Sequence, residues 1–448
     1  MNRSKFFYLC LFSQILLIGL TSCRNHQNKV RKEFERLMDD FASQYTQLNI
    51  PALELSYLKN IQNISSLDSI AIQTQVFQSF QKRLKEITVD DLDVNHRSDY
   101  QTISLELRLH LERLELEKEF QEKKRNRPLD KNGLYFIPNG KKWYRYFVKR
   151  WTGAEITPED LKTFGLAEIE KIKTEILKIQ ENLNFGNDRI GFYEALNKKR
   201  FLIKDSSDVV SKFREQQTIV RKEIWKQFSP WNLSKEKIDQ GKRKELSQVP
   251  GYYNREEETF YFNLFDDPFN LRQVDWLYLH EGVPGHHFQL SLEKQLTDSL
   301  PAYRDFIPFS GYREGWAAYA EEIGSEVGLY RTPYDWMGKH EWDLIRSVRV
   351  VLDVALNYQG WSDEKALTFW KQHIYNQDDI AEREIARMKR WPGQVHTYKH
   401  GADQILQLKD IFQKEEGNDF DIRKFHDRIL NYGPLHWKAL RERVLEDS

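Results

Sequence analysis

The nine residues Leu279-His280-Glu281-Gly282-Val283-Pro284-Gly285-His286-His287 place three imidazoles and a carboxylate around a proline, and no other stretch constrains the fold as much. Pro284 has no N–H to offer the carbonyl of His280, and its ring clashes with that carbonyl in a regular helix, so a helix through His280 kinks or breaks there. At about 100° and 1.5 Å per residue, a straight helix would put His286 roughly 240° round from His280. It would put His287 on the same face but about 10 Å further along. Neither geometry closes on one metal ion, whereas a bulge at Pro284-Gly285 brings one of the two alongside His280.

Zinc takes neutral imidazole nitrogens and carboxylate oxygens, and a catalytic zinc keeps three protein ligands plus a water of pKa about 7. The helical signature H-E-x-x-H sets two His one turn apart, with the Glu placed to take the proton of that water. Here Pro284 occupies the position of the second His. A third ligand is offered downstream by Gly311-Tyr312-Arg313-Glu314-Gly315-Trp316-Ala317-Ala318-Tyr319-Ala320-Glu321-Glu322, helical in composition, with Glu314 and Glu321 seven apart on one face. The same residues also suit bland roles, since a His pair at a Pro-Gly break serves as a cap or core feature and a helical Glu ordinarily faces solvent.

Three ordered motifs carry a resemblance. His280-Glu281-x-x-Pro284-Gly285-His286-His287, then Arg313-Glu314-Gly315-Trp316-Ala317-x-Tyr319-Ala320-Glu321, then Arg387-x-x-x-Trp391-Pro392-Gly393-Gln394-x-x-x-Tyr398-Lys399-x-Gly401 resemble the bacterial family labelled domain of unknown function 885. The likeness runs from about Tyr252 to Tyr432; upstream it is only to a generic helical half, shorter here than is typical. Members are regarded as zincin-like metallopeptidases, mainly helical, distantly similar to the carboxypeptidase Taq group and the oligopeptidases. The resemblance implies that His280, His286 (with His287 as the alternative) and Glu314 hold one zinc ion per chain, supported by Glu321. Glu281 becomes the general base, and Tyr398 a donor to the oxyanion, with Arg387 beside it for the oxyanion or a substrate carboxylate. Those roles are chemically coherent. Hydrolysis of an amide needs a carboxylate to move a proton from water to the leaving amine and a donor where the carbonyl oxygen becomes negative.

The family pattern is broken at three points. Within Arg349–Trp361 a Gly-x-His is usual where this chain has Ala355-Leu356-Asn357; Met388 follows Arg387 in place of Tyr; and His400 replaces an apolar residue. Altered substrate preference is the expected consequence, with Arg349 and Asn357 as substrate contacts. The best strand candidate, Thr259–Leu264, precedes the His-bearing helix. In zincin-like enzymes an edge strand binds the extended substrate, so this segment, with Asn263, is expected to form a substrate-binding wall.

Arg3 and Lys5 precede an apolar run from Phe6 to Leu20, too short for a membrane span and ending in Leu20-Thr21-Ser22-Cys23. A charged start, a short apolar stretch and small residues form a secretory signal peptide, and the ending resembles the bacterial lipobox. Residues 1–22 are thus expected to be removed, Cys23 to be lipidated, and 23–29 to tether a soluble body to an envelope membrane facing the periplasm or exterior. The only other cysteine, Cys10, lies in the removed segment, which leaves no disulfide.

Lysine plus arginine equals aspartate plus glutamate at 68 each, and this balance gives no support to nucleic-acid binding. Periodicity is mainly helical. Val30, Phe34, Leu37 and Phe41 recur at helical spacing, as do Leu166, Ile169, Ile172, Ile176 and Ile179, with Thr157-Pro158 as cap and first-turn residue. Ile103, Leu105, Leu107, Leu109 and Leu111 alternate as a strand would, but their Glu, Arg and Leu neighbours favour helix. The expected architecture is mainly α and two-lobed, zincin-like, with a short antiparallel sheet near the site. A helical lobe spans 30–250 and a catalytic lobe 251–448. The expected activity is zinc-dependent cleavage of peptide bonds, by a carboxypeptidase or oligopeptidase; the competing reading is a non-catalytic lipoprotein that binds peptides on the same scaffold.

Overall fold

The computed structural model describes residues 3–123, 129–243, 249–264 and 268–446, with side chains from residue 24 onward. The Cys23 thiol and the side chains of the apolar N-terminal run lie outside the described residues. The first half of the chain forms α1 (Arg3–Gln47), α2 (Tyr57–Gln62), α3 (Leu67–Lys85), α4 (Val94–Glu122), α5 (Gly140–Thr152), α6 (Pro158–Asn182), α7 (Arg189–Leu196) and α8 (Ser206–Glu223). The second adds α9 (Val274–Glu281), α10 (His286–Leu296), α11 (Ser310–Glu322), α12 (Pro333–Asn357), α13 (Asp363–His373), α14 (Asp378–Arg390), α15 (His396–Glu416), α16 (Ile422–Leu430) and α17 (Trp437–Leu445). Residues 24–29, expected as a tether, are helical within α1, and no helix of the described residues is long and apolar enough to cross a membrane.

Caps start the helices where side chains supply them. Thr157 accepts the N–H of Asp160 at 3.1 Å ahead of Pro158. At α12, Thr332 and Asp335 satisfy each other's backbone N–H groups in a capping box, with Pro333 in the first turn. α12 is buried along nearly its whole length from Met337 to Asn357, packed against α6, α9, α14 and α15.

The alternation in α4 has a packing cause. Ile103, Leu107 and Leu114 join one apolar cluster, while Leu105, Leu109 and Leu116 join another. A two-residue offset is about 200° of helix, so α4 lies between two cores and is apolar on opposite sides.

The strands are β1 (Leu202–Ile203), β2 (Lys237–Gln240), β3 (Gly251–Asn254), β4 (Thr259–Phe262) and β5 (Phe269–Asn270). β1 and β5 pair antiparallel. The other sheet has the order β2-β4-β3, with β2 parallel to β4 and β3 antiparallel to it. This corrects the expected sheet in two ways: it is mixed, and the Thr259 strand is its centre. Central strands have both edges taken by neighbours, so the edge available beside the cleft belongs to β3. Nor is the expected boundary at 250 a division of the core. The larger cluster runs from Val30 to Val444 and the smaller from Tyr57 to Tyr358, because α6 lies along α12, α5 against α15 and α4 against α17.

Candidate metal centre

The helix through His280 ends at Glu281, and α10 begins at His286. Between them the chain folds back so tightly that a Cβ on Gly285 would stand 2.0 Å from the carbonyl oxygen of His280; only glycine fits. Trp316 of α11 fixes the turn by donating its Nε1–H to the carbonyl of Pro284 at 2.8 Å. The break therefore sets the His286 ring against that of His280, with centroids 4.9 Å apart and planes at 83°.

Glu314 arrives on α11, which approaches α15 closely at Gly315 and Gly401. A Cβ on Gly401 would lie 2.5 Å from the Cα of Gly315. This contact brings Glu314 and Tyr398 to one cleft. Glu314 Oε2 is 3.6 Å from His280 Nε2 and 3.5 Å from His286 Nε2, and the donor atoms of the three residues all lie within 4.8 Å of one another. Ligands about 2.0–2.2 Å from a tetrahedral zinc stand roughly 3.4 Å apart, so the set fits such an ion.

Behind it, His280 Nδ1 is 2.7 Å from Glu321 Oε1, and Arg346 Nη1 donates to Glu321 Oε2 at 2.6 Å. Burial disfavours a charged His280, but the carboxylates of Glu314 and Glu321 outweigh it and hold the imidazole up at about 9. Burial likewise pushes Glu314 up, yet the two imidazoles keep its carboxyl well below the usual range. Glu281 differs. Burial raises its pKa despite both imidazoles, and its Oε2 is buried without a hydrogen-bond partner. An orphaned carboxylate oxygen is costly, and this one lies beside a donor set whose spacing fits a cation.

His287 is turned away. Its Nδ1 meets the Tyr253 hydroxyl at 2.9 Å and its Nε2 the carbonyl of Ser234 at 3.0 Å, so neither nitrogen is left for the cluster. Tyr398 faces His280, with ring centroids 6.1 Å apart. Its hydroxyl accepts from Gln394 Nε2 at 3.0 Å and lies 3.4 Å from Arg387 Nη2. Arg349 flanks the same ring at 5.4 Å and donates to Glu384 at 3.0 Å. Arg346, which sequence reasoning missed, flanks it at 5.5 Å; the signal for it was a second arginine three residues before Arg349, about one turn back on the same helix. These groups surround a cavity of about 350 Å³, with Tyr252 and Tyr253 of β3 and the indoles of Trp276, Trp342 and Trp391 as its walls.

Two expected substrate contacts are corrected. Asn263 donates through Nδ2 to the carbonyl of Val249 at 2.7 Å and through its backbone N–H to Pro250 at 2.9 Å. It thus shapes the chain entering β3, and it is Val249 and Pro250 that line the cavity. Asn357 is fully buried, accepting from Leu134 N–H at 3.1 Å and donating to the carbonyl of Met388 at 3.0 Å. It ties α12 to α14 and to the loop before α5.

Residues 113–444 match the family described as bacterial protein of unknown function (DUF885). The chain belongs to that family. Compared with curated proteins, it has no match. Two solved structures, both described as putative lipoproteins, share the DUF885 chain's fold. That from Colwellia psychrerythraea is 23% identical with a TM-score of 0.64, the match covering 84% of this chain and 69% of the other. That from Shewanella oneidensis, of unknown function, is 19% identical with a TM-score of 0.59, covering 87% and 77%.

Proposed function

We propose that this DUF885 chain is a zinc-dependent hydrolase of peptide bonds, with His280, His286 and Glu314 as the metal ligands and Glu281 as the general base. The observation that carries the reading is the buried, unpartnered Oε2 of Glu281 beside a two-histidine, one-carboxylate set. Zinc in such a set supplies a Lewis acid for the scissile carbonyl and lowers the pKa of water to about 7. Glu281 takes the proton of the attacking water and returns it to the leaving amine, a task for which a pKa raised by burial is suited. Tyr398 accepts from Gln394, which leaves its own O–H proton to donate where the carbonyl oxygen becomes negative. Arg349 and Arg387 share Glu384, so their surplus positive charge favours a substrate carboxylate. The outer edge of β3 offers backbone groups to an extended peptide.

The lipobox-like end at Cys23, and the lipoprotein description of both solved neighbours, support an acyl-anchored protein of the bacterial envelope. The scaffold reading loses its one observation, since the Asn357 departure serves packing away from the cleft. Hydrolysis of a non-peptide amide or ester would use the same groups.

The test is metal content by elemental mass spectrometry on the chain starting after Cys23, with its His280→Ala and Glu281→Gln variants, beside a peptide-library screen. About one zinc per chain is expected, lost in His280→Ala and kept in Glu281→Gln, while hydrolysis falls by at least about 10²-fold in both. No zinc after supplementation, or undiminished turnover in Glu281→Gln, overturns the mechanism.

A further inference from the structure

Three guanidinia stand beside Tyr398, and they differ in what they can still bind. Arg346 and Arg349 are 3% and 2% exposed. Each is engaged by a buried carboxylate, Arg346 Nη1 by Glu321 at 2.6 Å and Arg349 Nη1 by Glu384 at 3.0 Å. Arg387 is only half-buried and lines the cavity. Among the described residues its hydrogen bonds run from Nη2 alone, to Gln394 Oε1 at 2.9 Å and the Tyr398 hydroxyl at 3.4 Å. Its Nη1 is 3.8 Å from Glu384 Oε2, the oxygen that takes the bond from Arg349, and 3.8 Å is too long for a second one. Donors on the Nε and Nη1 side of this guanidinium are therefore left over. The Trp391 ring, with its centroid 5.4 Å from Cζ, holds the fork in place. Burial disfavours charge on Arg387, but Tyr398, Glu384 and Glu314 outweigh it and keep the group ionised.

Position and charge decide what those donors meet. Glu384 is a single carboxylate facing Arg349, Arg387 and Arg383, so a further anion improves the balance. Two parallel N–H groups match the two oxygens of a carboxylate. An extended chain advances about 3.3–3.6 Å per residue, and the Tyr398 hydroxyl is 3.4 Å from Arg387 Nη2. A carbonyl oxygen at Tyr398 and a carboxylate at Arg387 thus belong to adjacent residues. Behind Arg387 the way is closed by Glu384, 2% exposed and bonded to Arg349, so a chain gripped there ends there.

We propose that Arg387 determines specificity by holding the C-terminal carboxylate of the substrate through Nε and Nη1, so that residues are removed singly from the C-terminus. The proposal rests on the hydrolase reading for the cleavage and narrows it to a carboxypeptidase. The hydroxyl of water joins the carbonyl carbon of the penultimate residue, the last C–N bond breaks, and the proton taken up by Glu281 leaves on the amine. The products are a free amino acid and a peptide one residue shorter that ends in a new carboxylate.

Binding without turnover tests the grip. In the Glu281→Gln chain, calorimetric titration compares acetyl-Ala-Ala-Phe as the free acid with its C-terminal amide, and with acetyl-Ala-Glu-Phe amide, whose one carboxylate is on a side chain. The free acid is expected to bind at least about tenfold tighter than either amide, and Arg387→Gln to erase the difference by weakening the acid alone. The comparison of acid with amide needs no substitution at Arg387, so it stands even where that variant does not fold. In the native chain supplied with zinc, mass spectrometry should show phenylalanine released first from the acid and the amide left whole. Equal affinity for acid and amide, tight binding of the glutamyl amide, or a difference that survives Arg387→Gln each overturns the assignment. Cleavage of the amide at an internal bond overturns it too, while leaving the hydrolase reading intact. Failure of the hydrolase reading looks different: no peptide is cleaved, yet the acid is still preferred and the preference still needs Arg387.

Discussion

Glu321 is not among the residues lining the cleft, yet it fixes the tautomer of His280 by accepting from Nδ1 while Arg346 holds its other oxygen. Supporting carboxylates of this kind tune metal affinity by about 10–100-fold. Glu321→Gln keeps the shape and removes the charge. Zinc affinity measured by chelator competition should therefore fall within that range, with turnover restored by excess zinc; unchanged affinity would show that His280 is oriented by packing alone. His400 illustrates the opposite use of an imidazole. Buried beside Phe164, with Nδ1 unpartnered, it is driven by burial and by His396 from 6.5 down to about 4. The folded state thus binds fewer protons than the unfolded chain between those values. The contribution of this group is fully present above about pH 6.5 and is lost as pH falls toward 4, a swing of about 3 kcal/mol. His400→Leu should lose about 2–3 kcal/mol less than the native chain between pH 7 and pH 4.5 in urea unfolding; an unaltered acid slope would mean that His400 protonates in place. This explains how a histidine occupies a position where the family has an apolar residue.

Elements meet at glycines. A Cβ on Gly401 would stand 2.5 Å from the Cα of Gly315 and 2.6 Å from the carbonyl oxygen of Gly311, so Gly401→Ala must push α11 off α15, and neither partner is a flexible side chain. Overpacking costs about 1–3 kcal/mol or somewhat more, and the denaturant midpoint should drop accordingly. Because Glu314 rides on α11, zinc affinity should fall together with stability; a midpoint loss with native zinc affinity would place the ligand set under the control of α9 and α10 alone. The helix break was legible in the sequence, since a proline four residues after His280 leaves no alternative, and so was the Thr157-Pro158 start of α6. Neither decided which histidine follows, because His286 and His287 are separated only by the turn and by what each nitrogen then meets. The hydrogen bonds of His287 to Tyr253 and Ser234 come from segments remote in sequence. Nor could spacing show that Thr259–Phe262 sits in the middle of its sheet, because parallel pairing with Lys237–Gln240 is a long-range contact with no local signature. The alternating leucines of α4 reflect two cores on opposite sides, a pattern that mimics a strand whenever a helix is enclosed. Asn357 likewise looked like an altered contact of the cleft because its partners, Leu134 and Met388, lie in other elements.

At the scale of the molecule, the site belongs to neither half of the chain. The proposed metal ligands and Tyr398 come from after residue 250, but the helices carrying them are packed on α5 and α8 from before it. Both apolar clusters draw on both halves. A fragment of residues 251–448 would expose the faces of α12 and α15 that α6 and α5 cover, and should show no cooperative unfolding. The chain beginning after Cys23 should instead unfold in one transition, with circular dichroism and tryptophan fluorescence coincident. A ligand that binds only the folded state stabilises it by RT ln(1 + [L]/Kd), about 4 kcal/mol at a thousandfold excess over Kd. In a molecule whose two apolar clusters each span both halves that increment reaches every element, so zinc should shift the whole transition to higher denaturant, including the part reported by helices before residue 250. Two separated transitions, only one of them moved by zinc, would show instead that the N-terminal helices fold on their own and merely lean on the metal-binding half.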